Sequence, residues 1–216
     1  MSIPAAPKAR PRKERKDNAD RRRKQLIEAT LRSVVSNGLA KTTLATVANE
    51  ASLSQGVAVF YFKTKDQLLA EALAHQYALY EDTWTDWLER SDPHPAARLS
   101  ALMRADFSAE VCNHETLAIW FAFWGEAKFR PQYAETSREF EDRRSDEIRF
   151  ICAELMAGAT KEDVEQIATF IDSMTDGLWQ RLYLSPDRFT VKEALPLTFR
   201  LLRSLFPEHA EHFGIE

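Results

Sequence analysis

Residues 42–69, TTLATVANEASLSQGVAVFYFKTKDQLL, decide the fold of this 216-residue chain. Leu44, Val47, Ala48 and Ala51 recur at helical spacing, which gives a first short helix one apolar face. Ser52-Leu53-Ser54 then makes a tight turn, with Ser54 placed to cap the helix after it. That second helix, about Gln55 to Phe60, is too short to be a core element in its own right. It presents Gln55, Gly56, Val57, Val59 and Phe60, a mixture suited to a DNA major groove. A third helix follows Tyr61-Phe62, with the basic Lys65 at its start.

The ordered set Thr43, Val47, Ala48, Ala51, Leu53, Ser54, Gly56, Tyr61, Phe62, Lys65 and Leu68 resembles the DNA-binding domain of the TetR family of bacterial repressors. Two positions depart from that pattern. Ser52 stands where the family usually has a turn glycine, at a cost if its φ is positive. Val59-Phe60 replaces the usual pair before Tyr61 and leaves the base preference open. The resemblance places Thr42 and Thr43 at a helix N-terminus facing a DNA phosphate. It gives Tyr61 and Lys65 backbone contacts that set register. Gln55 has the chemistry to pair with adenine, and Val57, Val59 or Phe60 to meet a thymine methyl, while Gly56 permits close approach. The other reading of Val57 and Phe60 is that they pack the three-helix core.

Charge is distributed unevenly. The net charge is −4, yet residues 1–24 carry ten Lys or Arg against three acids, and the remainder 19 against 30. Residues 1–16 are expected to form a disordered basic arm, attracted to phosphates by counterion release. Apolar content of 44% with 29% charged residues is ordinary for a soluble globular chain. No run approaches the roughly 20 apolar residues of a membrane span, and the N-terminus has no apolar signal region, so a cytoplasmic protein is expected. Cys112 and Cys152 are expected to be buried reduced thiols.

The periodicity predicts an all-α chain of about nine helices. A three-helix helix-turn-helix domain over 17–64 leads into a ligand-binding and dimerisation domain over 65–216. The first helix ends at Gly38, and the fourth runs from about Lys65 to Leu88. After the Ser91–Pro95 break, helices are expected over about 95–111, 114–129, 131–156 and 160–184. A last helix ends near Phe206, kinked or started late because of Pro196. Ile167, Ile171, Met174, Leu178 and Leu182 form one apolar stripe, and Leu195, Phe199, Leu202 and Phe206 another. As in the family, these are expected to pair with their copies in a homodimer through the last two helices, unless they face their own subunit.

All five tryptophans lie outside the head. The segment LAIWFAFW (117–124), Pro131, Arg143-Arg144 and DGLW (176–179) resemble the ligand domain of the choline-responsive BetI branch. Asp172, Asp176, Trp179 and Tyr183 share one side of their helix, and Trp120 and Trp124 lie one turn apart. Together with Trp84, Trp87 and Phe123 they are the candidate ligand-binding residues. Aromatic faces and a nearby carboxylate suit choline, a betaine or another quaternary ammonium or cationic metabolite. The alternatives are a different apolar ligand, or a plain aromatic core.

No catalytic, dinucleotide or P-loop motif is present, so neither enzyme activity nor a cofactor is expected. His209 and His212 lie in a tail expected to fray, and no metal site is assigned to them. These observations predict a homodimeric repressor that binds a palindromic double-stranded DNA operator and is released or modulated by a small-molecule effector. The competing reading is an architectural DNA-binding protein without such input. It predicts a filled aromatic core without a cavity.

Overall fold

The computed structural model describes residues 12–214, which divide into two compact units between Ala72 and Leu73. Among the described residues the chain is all-helical. α1 (Arg12–Lys41) begins inside the segment assigned to the basic arm, while residues 1–11 of that arm lie outside the described residues.

In the first unit, α1 loses helical geometry at Gly38, where φ is 75°. Thr42, just past the helix end, turns inward. The Thr42 hydroxyl donates to the Gly38 carbonyl at 3.0 Å and lies 3.1 Å from the Ser33 hydroxyl, with the residue fully buried. Thr43 instead caps α2 (Leu44–Glu50): its hydroxyl accepts from the Thr46 amide while the Thr46 hydroxyl accepts from the Thr43 amide. Reciprocal capping of this kind satisfies two amides that a helix start leaves without partners.

The turn after α2 is closed by two backbone bonds, Leu53 N–H to the Ala48 carbonyl and Ser52 N–H to the Asn49 carbonyl. This is the Schellman pattern, which asks for a left-handed residue at Ser52, and φ there is 53°. Ser54 then caps α3 (Gln55–Tyr61) by accepting from the Val57 amide. Val47, Ala48, Ala51, Ala58 and Phe62, with Leu26, Ile27, Leu31 and Val34 of α1, are the buried apolar residues of this unit's three helices and the turn after them. Gln25 of α1 donates to the Ala51 carbonyl at 2.7 Å, fixing α1 to the turn.

α4 (Lys65–Glu89) opens with Thr64 accepting from the Gln67 amide, while the Gln67 side chain reaches back to Lys63 rather than to Thr64. Lys65 donates to the carbonyls of Leu39 and Ala40 at 2.6 and 3.0 Å, so it ties α4 to the end of α1.

The second unit holds the rest of α4 with α5 (Pro95–Asp106), α6 (His114–Ala127), α7 (Pro131–Leu155), α8 (Lys161–Leu184) and α9 (Val191–Leu205). α5 and α6 stop short of the lengths that periodicity predicts, because the apolar pattern runs on into turns. Pro196 neither delays α9 nor ends it, and the helix is continuous from Val191. Its core joins Trp84, Leu99, Leu102, Met103, Ile148, Ile151, Cys152, Ile171, Phe199 and Leu202.

Most of the expected dimer stripe belongs to that core. Ile171, Leu182, Phe199, Leu202 and Phe206 are buried within the chain itself, and Ile167, Met174 and Leu195 pack partly against it. Periodicity marks a buried face without saying whose partner buries it.

The tail does not fray at His209 and His212. Pro207–His212 forms a 3-10 turn, Phe213 is fully buried, and its carbonyl accepts from Arg203 at 2.6 Å. The His212 ring stacks on His94 with centroids 4.0 Å apart. Cys112 and Cys152 are both free, and burial pushes each thiol up to about 12.

Left-handed geometry costs a serine more than it costs glycine. Ser52→Gly is therefore expected to raise the unfolding free energy by about 1 kcal/mol, after the larger chain entropy of glycine is set against the relief. Urea unfolding measures the change; a loss of stability would mean that Ser52 is not strained.

Candidate functional site

The chain carries two candidate surfaces, one in each unit. On α3, Gln55, Gly56, Val59 and Phe60 are exposed, with Ser54 and Thr43 exposed beside them. Phe60 is 71% exposed and meets Tyr61 edge-on at 5.1 Å, which removes it from the three-helix core. Val57 and Tyr61 are half-buried. A Cβ on Gly56 would touch only the Ser54 hydroxyl, at 3.8 Å, so the chain leaves the space over it open.

Two expected DNA contacts face elsewhere. Thr42 is buried on Gly38 and Ser33, and the Lys65 ammonium is held by two backbone carbonyls. Lys41 and Lys63, exposed beside α2 and after α3, went unnamed in the sequence reading and offer positive charge there instead.

Four helices of the second unit line a cavity of about 360 Å³. Tyr77, Tyr80, Glu81 and Trp84 come from α4, and Trp120 and Trp124 from α6. α7 supplies Phe140, Glu141, Arg144 and Ser145; α8 supplies Asp172, Asp176 and Trp179. Trp124 stacks between Trp120 and Trp179, with centroids 6.0 and 6.4 Å away. Tyr77 meets Trp120 at 4.6 Å, and Tyr80 meets Trp179 at 5.8 Å, both edge-on.

The wall rests on one buried cluster. Asp106 accepts from the Tyr80 hydroxyl and the Arg144 guanidinium, both at 2.7 Å, and its backbone carbonyl accepts from the Trp179 indole at 3.0 Å. Burial raises the proton affinity of the Asp106 carboxyl, against the pull of Arg144, and drives the Tyr80 hydroxyl well above its usual value. Burial, then Glu141 at 2.6 Å, raises Tyr77 likewise. Both phenols therefore remain neutral donors at any physiological pH.

Trp84, Trp120, Trp124, Asp172, Asp176 and Trp179 are brought together here, as periodicity anticipates. Three expected residues stand apart. Phe123 is buried against Tyr133, Tyr183 stacks on Phe121 and His114, and Trp87 borders a different cleft of about 510 Å³. That cleft is larger but chemically weaker: Arg90 there pairs with Asp86, and Arg104 bonds the Gly214 carbonyl. Of the α4 residues the sequence names only Trp84 as a cavity residue, and it names none of those from α7. Tyr77, Tyr80 and Trp84 do carry an i, i+3, i+7 signal, whereas Phe140, Glu141, Arg144 and Ser145 sit in a helix whose charges look solvated.

An aromatic box with carboxylates from three of its helices has the chemistry to attract an organic cation, by about 0.5–2 kcal/mol per ring contact.

The family profile "Bacterial regulatory proteins, tetR family" matches residues 26–72, and "BetI-type transcriptional repressor, C-terminal" matches 95–207. The chain is 34% identical over 184 residues to the HTH-type transcriptional regulator BetI of Paraburkholderia phymatum, covering 82% of this chain and 88% of that one. Identity to the protein of the same description in Paraburkholderia xenovorans is 34% over 182 residues, covering 81% and 88%. Among solved structures, a transcriptional-regulator chain of Pseudomonas aeruginosa PAO1 has a TM-score of 0.78 at 24% identity, covering 90% and 95%. One from Saccharomonospora viridis, in complex with choline, scores 0.71 at 18% identity, covering 89% and 97%.

Two substitutions check these assignments. Lys65→Met is expected to destabilise the head by roughly 1–3 kcal/mol through its lost charged hydrogen bonds. The salt slope of DNA binding should stay unchanged; a slope lower by about one phosphate would return Lys65 to the backbone contact set. Asp106→Asn leaves Arg144 uncompensated and is expected to cost about 3–5 kcal/mol in thermal or urea unfolding. A loss below 1 kcal/mol would show that the cluster does not hold the wall.

Proposed function

The chain belongs to the TetR family of bacterial regulatory proteins with a BetI-type C-terminal domain, and from that premise we propose that it is a homodimeric repressor whose operator affinity is set by a quaternary ammonium effector. The observation that carries the ligand class is the cavity itself: four tryptophans and two tyrosines lining one space with Asp172 and Asp176. An architectural protein without small-molecule input predicts that these rings fill their own core, and the cavity of about 360 Å³ counts against it.

The DNA face comprises α3 with Gln55, Gly56, Val59 and Phe60, flanked by Thr43, Ser54 and Tyr61. One such head buries little DNA. Two heads on successive major grooves, roughly 34–36 Å apart, give a palindromic operator its symmetry-matched partner. The apolar groups left exposed on α8 and α9, Phe170, Leu184 and Leu197, supply the pairing face.

Effector control requires that the ligand bind one conformation better than another. α4 is one continuous helix that gives Tyr77, Tyr80, Glu81 and Trp84 to the cavity and Lys65 to the carbonyls ending α1. A ligand that pulls on the four cavity residues therefore acts on the helix that secures the head.

Choline is expected to quench tryptophan fluorescence saturably and to lower operator affinity in a gel-shift titration. Trp124→Ala should weaken choline by roughly 2–30-fold, the worth of one ring contact. Absence of binding by choline, betaine aldehyde and glycine betaine at millimolar concentration would sink the ligand class. Introducing charge with Phe170→Glu and Leu197→Glu should yield monomers in sedimentation; an intact dimer would place the interface elsewhere.

A further inference from the structure

Four carboxylates line the aromatic cavity, and three of them have partners. Glu81 takes two guanidinium bonds from Arg143, Glu141 accepts from Tyr77, and Asp172 accepts from Ser145 at 3.1 Å. Asp106, behind the wall, is paired with Arg144. Asp176 alone among these has no hydrogen bond or ion pair to any described residue. It is an exposed side chain that lines the cavity one helical turn from Asp172.

We propose that Asp176 is the charge sensor of this cavity: it holds a proton while the cavity is empty, and it releases that proton to solvent as a fixed cation enters. This deepens the ligand class proposed above and rests on it. The step is an acid dissociation: the carboxyl O–H breaks, buffer base takes the proton, and the ligand's positive charge replaces it. No redox partner is needed.

The surrounding charges explain why the empty site favours the neutral form. α4 presents Tyr77, Tyr80 and Glu81; α5 presents Asp106; α7 presents Glu141 and Arg144; α8 itself presents Asp172. The α6 wall is Trp120 and Trp124, with no titratable group, and α9 lines none of it. Arg144 is matched by Asp106 and Glu81 by Arg143, which leaves Glu141 and Asp172 in excess. A further anion at Asp176 would be repelled by both. Burial first, then Asp172, Asp106 and Glu141, pushes the Asp176 carboxyl up to about 7, with Arg144 opposing.

The sign follows directly. A bound cation favours the ionised carboxylate and draws its pKa down, so a proton leaves when the ligand arrives at pH near or below 7. Affinity for a cation then falls as pH drops through that range, by roughly tenfold from pH 8 to pH 6, as for one linked proton. Affinity for an uncharged ligand of the same shape gains nothing from the ionised form. The cavity therefore discriminates for charge more strongly as pH rises.

Choline and its neutral isostere 3,3-dimethylbutan-1-ol separate the two effects. Both are titrated into the full chain at pH 6, 7 and 8, with calorimetry in phosphate and in Tris to count released protons. The expected result is a choline-to-isostere affinity ratio that rises roughly tenfold across the range, with proton release at pH 6 and 7. In Asp176→Asn the ratio stays flat at its acidic value. Choline binding that is independent of pH and releases no proton overturns the proposal and leaves the effector class standing. Carboxyl 13C NMR of the ligand-free chain gives a ligand-independent check. The aspartate resonance lost in Asp176→Asn should titrate near 7, and titration near 4 overturns the proposal whether or not choline binds. Titration near 7 without choline binding upholds the protonated resting state and removes the effector class instead.

Discussion

The cavity depends on Asp106. Its carboxylate holds Tyr80 of α4 and Arg144 of α7, and its backbone carbonyl holds the Trp179 indole of α8, so one residue at the end of α5 positions groups on three other helices. A buried ion pair of this kind contributes little net stability, because desolvating both charges offsets their attraction. What it supplies is register. The aromatic rings alone could pack in several ways, since dispersion has no direction. Hydrogen bonds to one residue, Tyr80 to its carboxylate and Trp179 to its backbone carbonyl, fix which faces of these rings turn toward the space they line.

That same arrangement explains why the cavity stays open. A core of Trp84, Trp120, Trp124 and Trp179 would normally close on itself to gain contacts. Here Tyr80 and Trp179 are held toward Asp106, Glu81 is held by Arg143, and Glu141 is held by Tyr77. Collapse would break these bonds inside a region where water does not replace them. Polar anchoring of ring edges thus maintains an aromatic-lined space, and the acids that do the anchoring also give it its sign of charge.

The head was largely legible in the sequence because its signals are local. Turn closure at Ser52, capping at Thr43 and Ser54, and the buried side of Val47, Ala48 and Ala51 all depend on neighbours a few residues away. Its failures involve longer reach. Thr42 is drawn to Ser33 and Lys65 to Leu39 and Ala40, partners that no spacing rule in the 42–69 segment contains. The cavity was half legible for the same reason. Trp120 with Trp124 and Asp172 with Asp176 announce themselves one helical turn apart on single helices. Glu141 and Arg144 do not, because a charged residue reads as solvated until the aromatic wall of other helices is placed against it. Tyr77 and Tyr80 read as a continuing helical stripe with Trp84, the one member of the three whose sequence context marks it as a ligand candidate.

The apolar stripes of α8 and α9 show how burial inside a chain and burial between chains compete for one pattern. Ile171, Leu182, Phe199 and Leu202 are spent on the chain's own core, which leaves Phe170, Leu184 and Leu197 for a partner. These three, half or more exposed except for Leu197 at 48%, are too few for an interface driven by area alone. In the proposed dimer, pairing on a few anchors would tolerate slight rotation of one copy against the other. The proposed effector control needs such tolerance, because the distance between two heads carries a signal only if the pairing face permits more than one value of it.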